Sequence, residues 1–234
     1  MRSVSRQEAP AFVCDLLQRR AELGREDLSA RSVAKALGQT TGFLYHHWGS
    51  FDAFLFEVSG LGWQRLVDAL VRAYERRAAP RDVLHAYVEF AAEHPVLYWL
   101  LAERPLAPDI TRATLEGGAA LPSFKAWQAL FALISRAEPG ITLAGARAVH
   151  AAAHGVASQL LSHRIGSMPD ALTAGERAIA RDITDAIADR YFTARSPSPR
   201  SPARDPKAGS LPRRRTTRRA SSSRSTSRKS KTGT

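Results

Sequence analysis

SARSVAKALGQTTGFLYHHWGSF, Ser29 through Phe51, reads as two short helices joined by a tight turn, with a third beginning directly after it. Val33, Ala34 and Leu37 keep helical spacing and form one apolar stripe. Ser29 precedes that stripe as an N-cap, where a hydroxyl accepts a backbone N–H that the helix cannot satisfy. Gly38 follows the last apolar residue and suits a helix C-terminus, because glycine enters the left-handed region without penalty. Thr40 offers a second N-cap, and Thr41 to His47 make about two turns of helix, too short to persist alone. Leu44 and Trp48 must therefore brace that helix against its neighbours. Its other side carries Thr41, Gly42, Tyr45, His46 and His47. Hydroxyls and imidazoles donate and accept hydrogen bonds without an obligatory charge. A short helix braced on one side and polar on the other is the second member of a helix-turn-helix pair. Such a helix enters the major groove with its N-terminal residues at the base edges.

The wording is more specific than the spacing. Gly38, Gly42, Leu44-Tyr45-His46-His47-Trp48 and Phe54-Leu55 resemble the N-terminal domain of the tetracycline-repressor (TetR) family. The resemblance implies that Arg31, Thr41, Gly42 and Tyr45 approach bases, with Arg31 the first choice for a guanine contact. It also implies that Phe43, Tyr45 and His47 touch phosphates. Three positions depart from the family's wording. Gln39 stands where a Val packs, Phe43 where a Thr hydroxyl meets phosphate, and Phe51 where a Lys opens the fourth helix. Ser50 is placed to cap that helix and leave its N–H groups facing the DNA backbone. Thr40, His46 and Ser50 complete the candidate DNA-facing set.

Bulk charge does not carry the DNA-binding reading. The formal net charge is +12, but of 34 Lys and Arg, thirteen lie after Ala194 against one acid, Asp205. The tail thus holds the whole surplus and the preceding body is neutral. That tail, residues 194–234, is low-complexity Ser, Arg and Pro, which cannot bury enough apolar surface to fold. It is expected to be disordered and to attract DNA without sequence preference through counterion release.

The rest of the chain reads as helices. Residues 7–24 form the first, with Phe12, Leu16, Leu17, Ala21 and Leu23 inward and Gly24 at its end; Arg2 and Arg6 precede it as a short basic arm. Cys14 falls among apolar residues and reads as a small buried hydrophobe. The fourth helix spans Phe51 to about Arg77, with Gly60 and Gly62 as weak points. Further helices are expected over residues 81–94, from Pro95 through VLYWLLAE, over 108–117, from Pro122 to about Ala137, and over 142–164 and 173–193. No strand pattern emerges, so the fold class is all-α. The division is a helix-turn-helix domain (1–50), a connecting helix (51–79), a helical effector-binding and dimerisation domain (80–193) and the tail.

AYVEFAAEHPVLYWLLAERP and AVHAAAHGVASQLL resemble the WHG-type effector domain of a subset of TetR-family proteins. His154-Gly155 are in place and Ala153 stands at the Trp position. The resemblance implies a small-molecule effector and dimerisation through the last two helices. An apolar effector is expected among Tyr98, Trp99, Phe124, Trp127, Phe131, His150 and His154. The homodimer is expected through residues 142–164 and 173–193. The first of these is rich in Ala and Gly, and the second carries an apolar stripe of Ile179, Ile183, Ile187, Tyr191 and Phe192.

The function expected is a sequence-specific transcriptional regulator, a repressor released by its effector, on double-stranded DNA with a near-palindromic operator. No cofactor, metal, catalytic residue or membrane association is expected, and the location is cytoplasmic: no apolar run is long enough to span a bilayer, and MRSVSRQEAPAF has no apolar core of a secretory signal. Two alternatives stay open. His150 and His154 share a helix face and could serve an all-α metal-dependent enzyme, although no Glu lies between them in the HExxH manner. The tail alone could make a non-specific nucleic-acid-binding protein.

Overall fold

The structure is a computed structural model that describes residues 3–19, 24–77, 79–162, 164 and 174–192. The Ser/Arg/Pro tail, Arg2, and the Ala21 and Leu23 expected inside the first helix lie outside the described residues. Every regular element among the described residues is helical.

The N-terminal head is built from α1 (Ala9–Gln18), α2 (Ala30–Ala36) and α3 (Thr41–Trp48). Before α1, Ser5 and Glu8 exchange hydrogen bonds: the Ser5 hydroxyl and N–H donate to Glu8 Oε2 (2.7 and 3.2 Å), and the Glu8 N–H donates back to Ser5 Oγ (3.4 Å). This reciprocal arrangement satisfies N–H groups at a helix start. Val13, Cys14 and Leu17 are buried in the core. The helix stops at Gln18, short of the expected Gly24. Arg19 is extended there, and its N–H closes the last turn on Asp15 O and Leu16 O. At Gly24 the chain turns, its carbonyl accepting the Asp27 N–H.

The fourth helix, α4 (Phe51–Arg77), opens with Ser50 Oγ accepting the Ala53 N–H at 3.0 Å, as the sequence implied. It runs from the head into a bundle of α5 (Pro80–Glu93), α8 (Pro122–Ala137), α9 (Leu143–Leu161) and α10 (Ala174–Phe192). Pro10, Pro80, Pro95, Pro108 and Pro122 stand in the first turns of five helices, where the missing N–H costs nothing. Thr142 caps α9 by accepting the Gly145 N–H. The VLYWLLAE segment divides into α6 (Pro95–Tyr98) and a wider π-helical turn, Trp99–Glu103, in which the Arg104 N–H reaches back five residues to Trp99 O. The surface helix α7 (Pro108–Glu116) buries no residue.

One hydrophobic core runs from Leu44 through Phe54 and Leu66 on α4 to Tyr87, Leu97, Trp127 and Val149. Head and helical body therefore share side-chain packing along α4. Polar contacts add to it: Arg65 donates to Asp15 Oδ1 and Gln18 Oε1, His94 Nδ1 meets Gln18 O at 3.1 Å, and Arg104 pairs with Asp52.

On α10 the inward face is small. Ala180, Thr184 and Ala188 are buried, whereas Ile179, Ile183 and Tyr191 are 44%, 37% and 39% exposed. Arg177 and Arg181 pair with Glu89, and Arg81 with Asp185 and Asp189, which fixes this orientation against α5.

Candidate nucleic-acid interface and effector cavity

In the head, Ser29 Oγ accepts the Ser32 N–H at 3.2 Å, and Arg31 projects from the first turn of α2, exposed. Gly38 and Gly49 adopt φ of 65° and 73°, so both turns around α3 use backbone that other residues avoid. Thr40 holds the N-cap position of α3 with extended backbone, but its hydroxyl makes no capping bond. Leu44 is fully buried beneath the helix. Trp48 is half-buried, packs edge-on to Phe54 at 4.9 Å, and donates Nε1–H to Glu57.

Thr40, Thr41, Gly42, Tyr45 and His46 face outward, and Tyr45 is 50% exposed. Phe43, His47 and Ser50 are half-buried. Phe43 meets the His47 ring edge-on at 4.6 Å, so it stiffens the outer face of α3. Phe51 stacks on Phe54 and joins the core margin. The guanidinium of Arg6 lies 5.4 Å above the Trp48 ring, which draws this residue of the N-terminal arm against the head.

Gln39 performs a task its sequence position concealed. Its Nε2 donates to Ser3 Oγ and, at 2.9 Å, to Val4 O, while the Val4 N–H donates to Leu37 O. The arm is thereby clamped to the turn between α2 and α3.

In the body, α4, α5, α8 and α9 line a cavity of about 330 Å³ that opens to solvent at Phe124 and Arg147. Of the residues expected there, Phe124, Trp127 and His150 line it. Tyr98 is instead fully buried behind the wall, His154 is bonded to it, Phe131 packs on Trp127, and Trp99 turns toward Arg25, whose guanidinium stacks over it at 4.7 Å. The sequence reading missed Trp63 and Val67 of α4, Tyr87 of α5 and Arg147 of α9, all in the lining. The i, i+4, i+7 spacing of Trp63, Val67 and Leu70 was the available signal.

A chain of polar groups passes through this wall. His154 Nδ1 meets the Tyr98 hydroxyl at 2.6 Å, that hydroxyl meets Tyr87 at 3.2 Å, and Tyr87 lies 3.5 Å from His150 Nε2. Burial pushes the Tyr87 hydroxyl up to about 12, partly offset by its bond to Tyr98, and raises Tyr98 further. Both phenols therefore keep their protons. Burial, aided by His154 and Arg147, lowers His150 to about 4, so its imidazole is neutral at neutral pH. Burial also raises the Cys14 thiol to about 11. Among the described residues, no group of three or more His, Cys, Asp and Glu side chains is arranged to hold a metal ion. Likewise no described helix is long and apolar enough to cross a membrane.

No curated protein matches the chain. Among solved structures, it is similar to a protein of unknown function from Rhodococcus sp. RHA1, at 19% identity and TM-score 0.54, covering 79% of this chain and 96% of that one. That likeness establishes the fold. A TetR family transcriptional regulator, PfmR from Thermus thermophilus, matches at 23% identity and TM-score 0.48 over 77% of this chain and 96% of that one. A TetR transcriptional regulator from Streptomyces coelicolor matches at 19% and 0.47, over 81% and 99%. Residues 81–182 match the family model described as tetracyclin repressor-like, C-terminal domain. The narrower WHG-type assignment is not what that model names and remains a sequence expectation. Residues 81–182 thus carry a tetracyclin repressor-like C-terminal domain, and the Gly38–Trp48 wording in front of it resembles the helix-turn-helix of the same family.

Proposed function

We propose that the protein works as a homodimeric repressor that reads a near-palindromic operator through α3 and is released by a small molecule held in the α4–α5–α8–α9 cavity. Residues 1–50 act as the reading head, 51–79 as the connecting helix and 80–193 as the effector and dimerisation body. The observation that carries this reading is the division of α3. Leu44 is fully buried beneath it, while Thr41 and Tyr45 are free on the outer side. Arg31, Thr41, Gly42 and Tyr45 then address base edges, and Phe43, His47 and the first turn of α4 behind Ser50 address phosphates.

Dimerisation is supported by the outward Ile179 and Ile183 beside the small outer residues of α9. At Gly155 an added β-carbon would meet nothing within 4 Å, which leaves that surface open to a second copy. A two-fold pair of this kind sets its heads in successive major grooves about 34–36 Å apart. The effector acts by population shift, so it must bind the non-operator spacing of heads better than the operator-bound one. Support for that coupling comes from α4, which both walls the cavity through Trp63 and begins beneath α3.

The test is selection of duplexes from a random pool by the full chain. A recovered inverted repeat supports the reading, and the absence of any common half-site overturns it. In parallel, Ile183→Asp is expected to give monomers in sedimentation and to lose operator binding; a dimer that persists refutes the interface.

A further inference from the structure

Resting on the reading of this cavity as the effector site, the geometry points to its ligand: we propose a flat aromatic carboxylate of one or two fused rings, its acid group held by Arg147. Three observations converge. First, Arg147 is the only permanent cation in the lining, and the lining has no Asp or Glu. Other arginines of the body, Arg65, Arg81, Arg104, Arg177 and Arg181, each pair with a carboxylate. Among the described residues Arg147 has no such partner. Its guanidinium lies instead over the Trp127 ring at 3.7 Å, with its donors left for something else. A guanidinium presents a planar fork that matches a carboxylate with two parallel hydrogen bonds.

Second, the walls are aromatic and flat: Trp63 from α4, Phe124 and Trp127 from α8. The volume of about 330 Å³ lies at the small end for ligand sites, which suits a compact ring system whose acid group sits at the exposed Arg147. Third, the remaining polar lining is uncharged. Tyr87 and Ser123 carry hydroxyls, and His150 is kept neutral by burial, so the site offers one positive charge and selects one negative charge. An aromatic cage alone would also welcome an organic cation through ring faces. Here Arg147 already covers the Trp127 face and repels such a ligand.

The probes are 2-naphthoate, 2-naphthalenemethanol and 2-naphthylmethylammonium, which share a ring system and differ in charge. Each is titrated calorimetrically into the full chain in the absence of DNA. Naphthoate is expected to bind about tenfold or more tighter than the alcohol, as a charge-assisted bidentate contact implies, and the ammonium to give no heat. Arg147→Met keeps the stem over Trp127 but removes the charge. It is expected to bring naphthoate down to the affinity of the alcohol and leave the alcohol unchanged. The proposal is overturned if the alcohol or the ammonium binds as tightly as naphthoate, if none of the three binds, or if Arg147→Met keeps the preference for the acid. Because binding is read without DNA, a failure of operator recognition leaves this result standing on its own. Conversely, naphthoate that binds but does not dissociate an operator complex upholds the site and removes this acid from the regulatory role.

Discussion

Gly62 on α4 lies directly against Leu101 of the π-helical turn: a β-carbon there would stand 2.8 Å from Leu101 Cδ2 and 2.9 Å from Leu97 Cδ1. What reads in the sequence as a weak point is a place where α4 approaches Leu97 and Leu101 too closely for a side chain. Gly60, one half-turn earlier, is different, since its nearest neighbour would be Pro122 Cγ at an ordinary 3.7 Å.

Gly60→Ala is therefore expected to stabilise the protein by about 0.5–1 kcal/mol through helix propensity. Gly62→Ala gains the same propensity but must displace two leucines that are almost wholly buried, at a cost of about 1–3 kcal/mol. Urea denaturation is expected to place the two variants on opposite sides of the parent. Equal stabilisation of both would contradict the close approach.

The two sides of α3 are expected to separate stability from recognition. Leu44→Ala removes a fully buried side chain and is expected to cost about 2–5 kcal/mol. Tyr45→Ala and Thr41→Ala alter exposed residues, so each is expected to change stability by no more than about 0.5 kcal/mol. Both are expected to weaken operator binding in a mobility-shift titration. A Tyr45→Ala protein with undiminished affinity would remove that residue from the interface.

Tyr98 holds the middle of the polar chain behind the cavity. Tyr98→Phe leaves the Tyr87 hydroxyl and His154 Nδ1 without this partner, and is expected to destabilise by about 1–3 kcal/mol. Tyr87→Phe combined with Tyr98→Phe is expected to cost less than the two singles added, because the pair share one bond. Strict additivity in a double-mutant cycle would show that the hydroxyls are not coupled.

His150 gives a pH signature. Its folded value of about 4 lies below the 6.5 of an unperturbed imidazole, because burial disfavours the cation. Between those values the unfolded chain takes up a proton that the folded chain refuses. The contribution of His150 is thus fully present above about pH 6.5 and is lost as pH falls toward 4. His150→Gln cannot titrate, so its thermal midpoint is expected to fall less steeply than the parent's across that window. Parallel pH profiles would show that His150 is not buried as described.

The elements were legible because their signals are local. Ser29, Gly38 and Ser50 mark ends through capping and backbone freedom, and the prolines at 80, 95, 108 and 122 mark starts by lacking an N–H. Such signals act within one turn, so they need no knowledge of neighbours. Even so, the first helix was read through to Gly24. Apolar spacing that continues past Leu17 carries no local sign of the stop at Arg19, where the backbone becomes extended.

The cavity was only partly legible. Tyr98 and Trp63 are both aromatic residues on apolar helices, and periodicity assigns each an inward face without saying what covers it. Tyr98 fell into the core because α5 and α9 bring Tyr87 and His154 to its hydroxyl. Trp63 instead lines the cavity, together with Phe124 and Trp127 of α8. Similarly, Gln39 looked like a lost packing residue until Ser3 and Val4 came within reach of its amide, across a sequence gap of 36 and 35 residues.

The sequence by itself determined the all-helical class, the helix-turn-helix and the polar outer side of α3, since each follows from spacing within a few residues. Only the tertiary structure decided which faces are covered. The Ile179 and Ile183 side of α10 looks outward because the opposite side, Ala180, Thr184 and Ala188, is small enough to seat against α5 and α9. That choice depends on complementary shapes from helices about a hundred residues apart, and no local pattern encodes it.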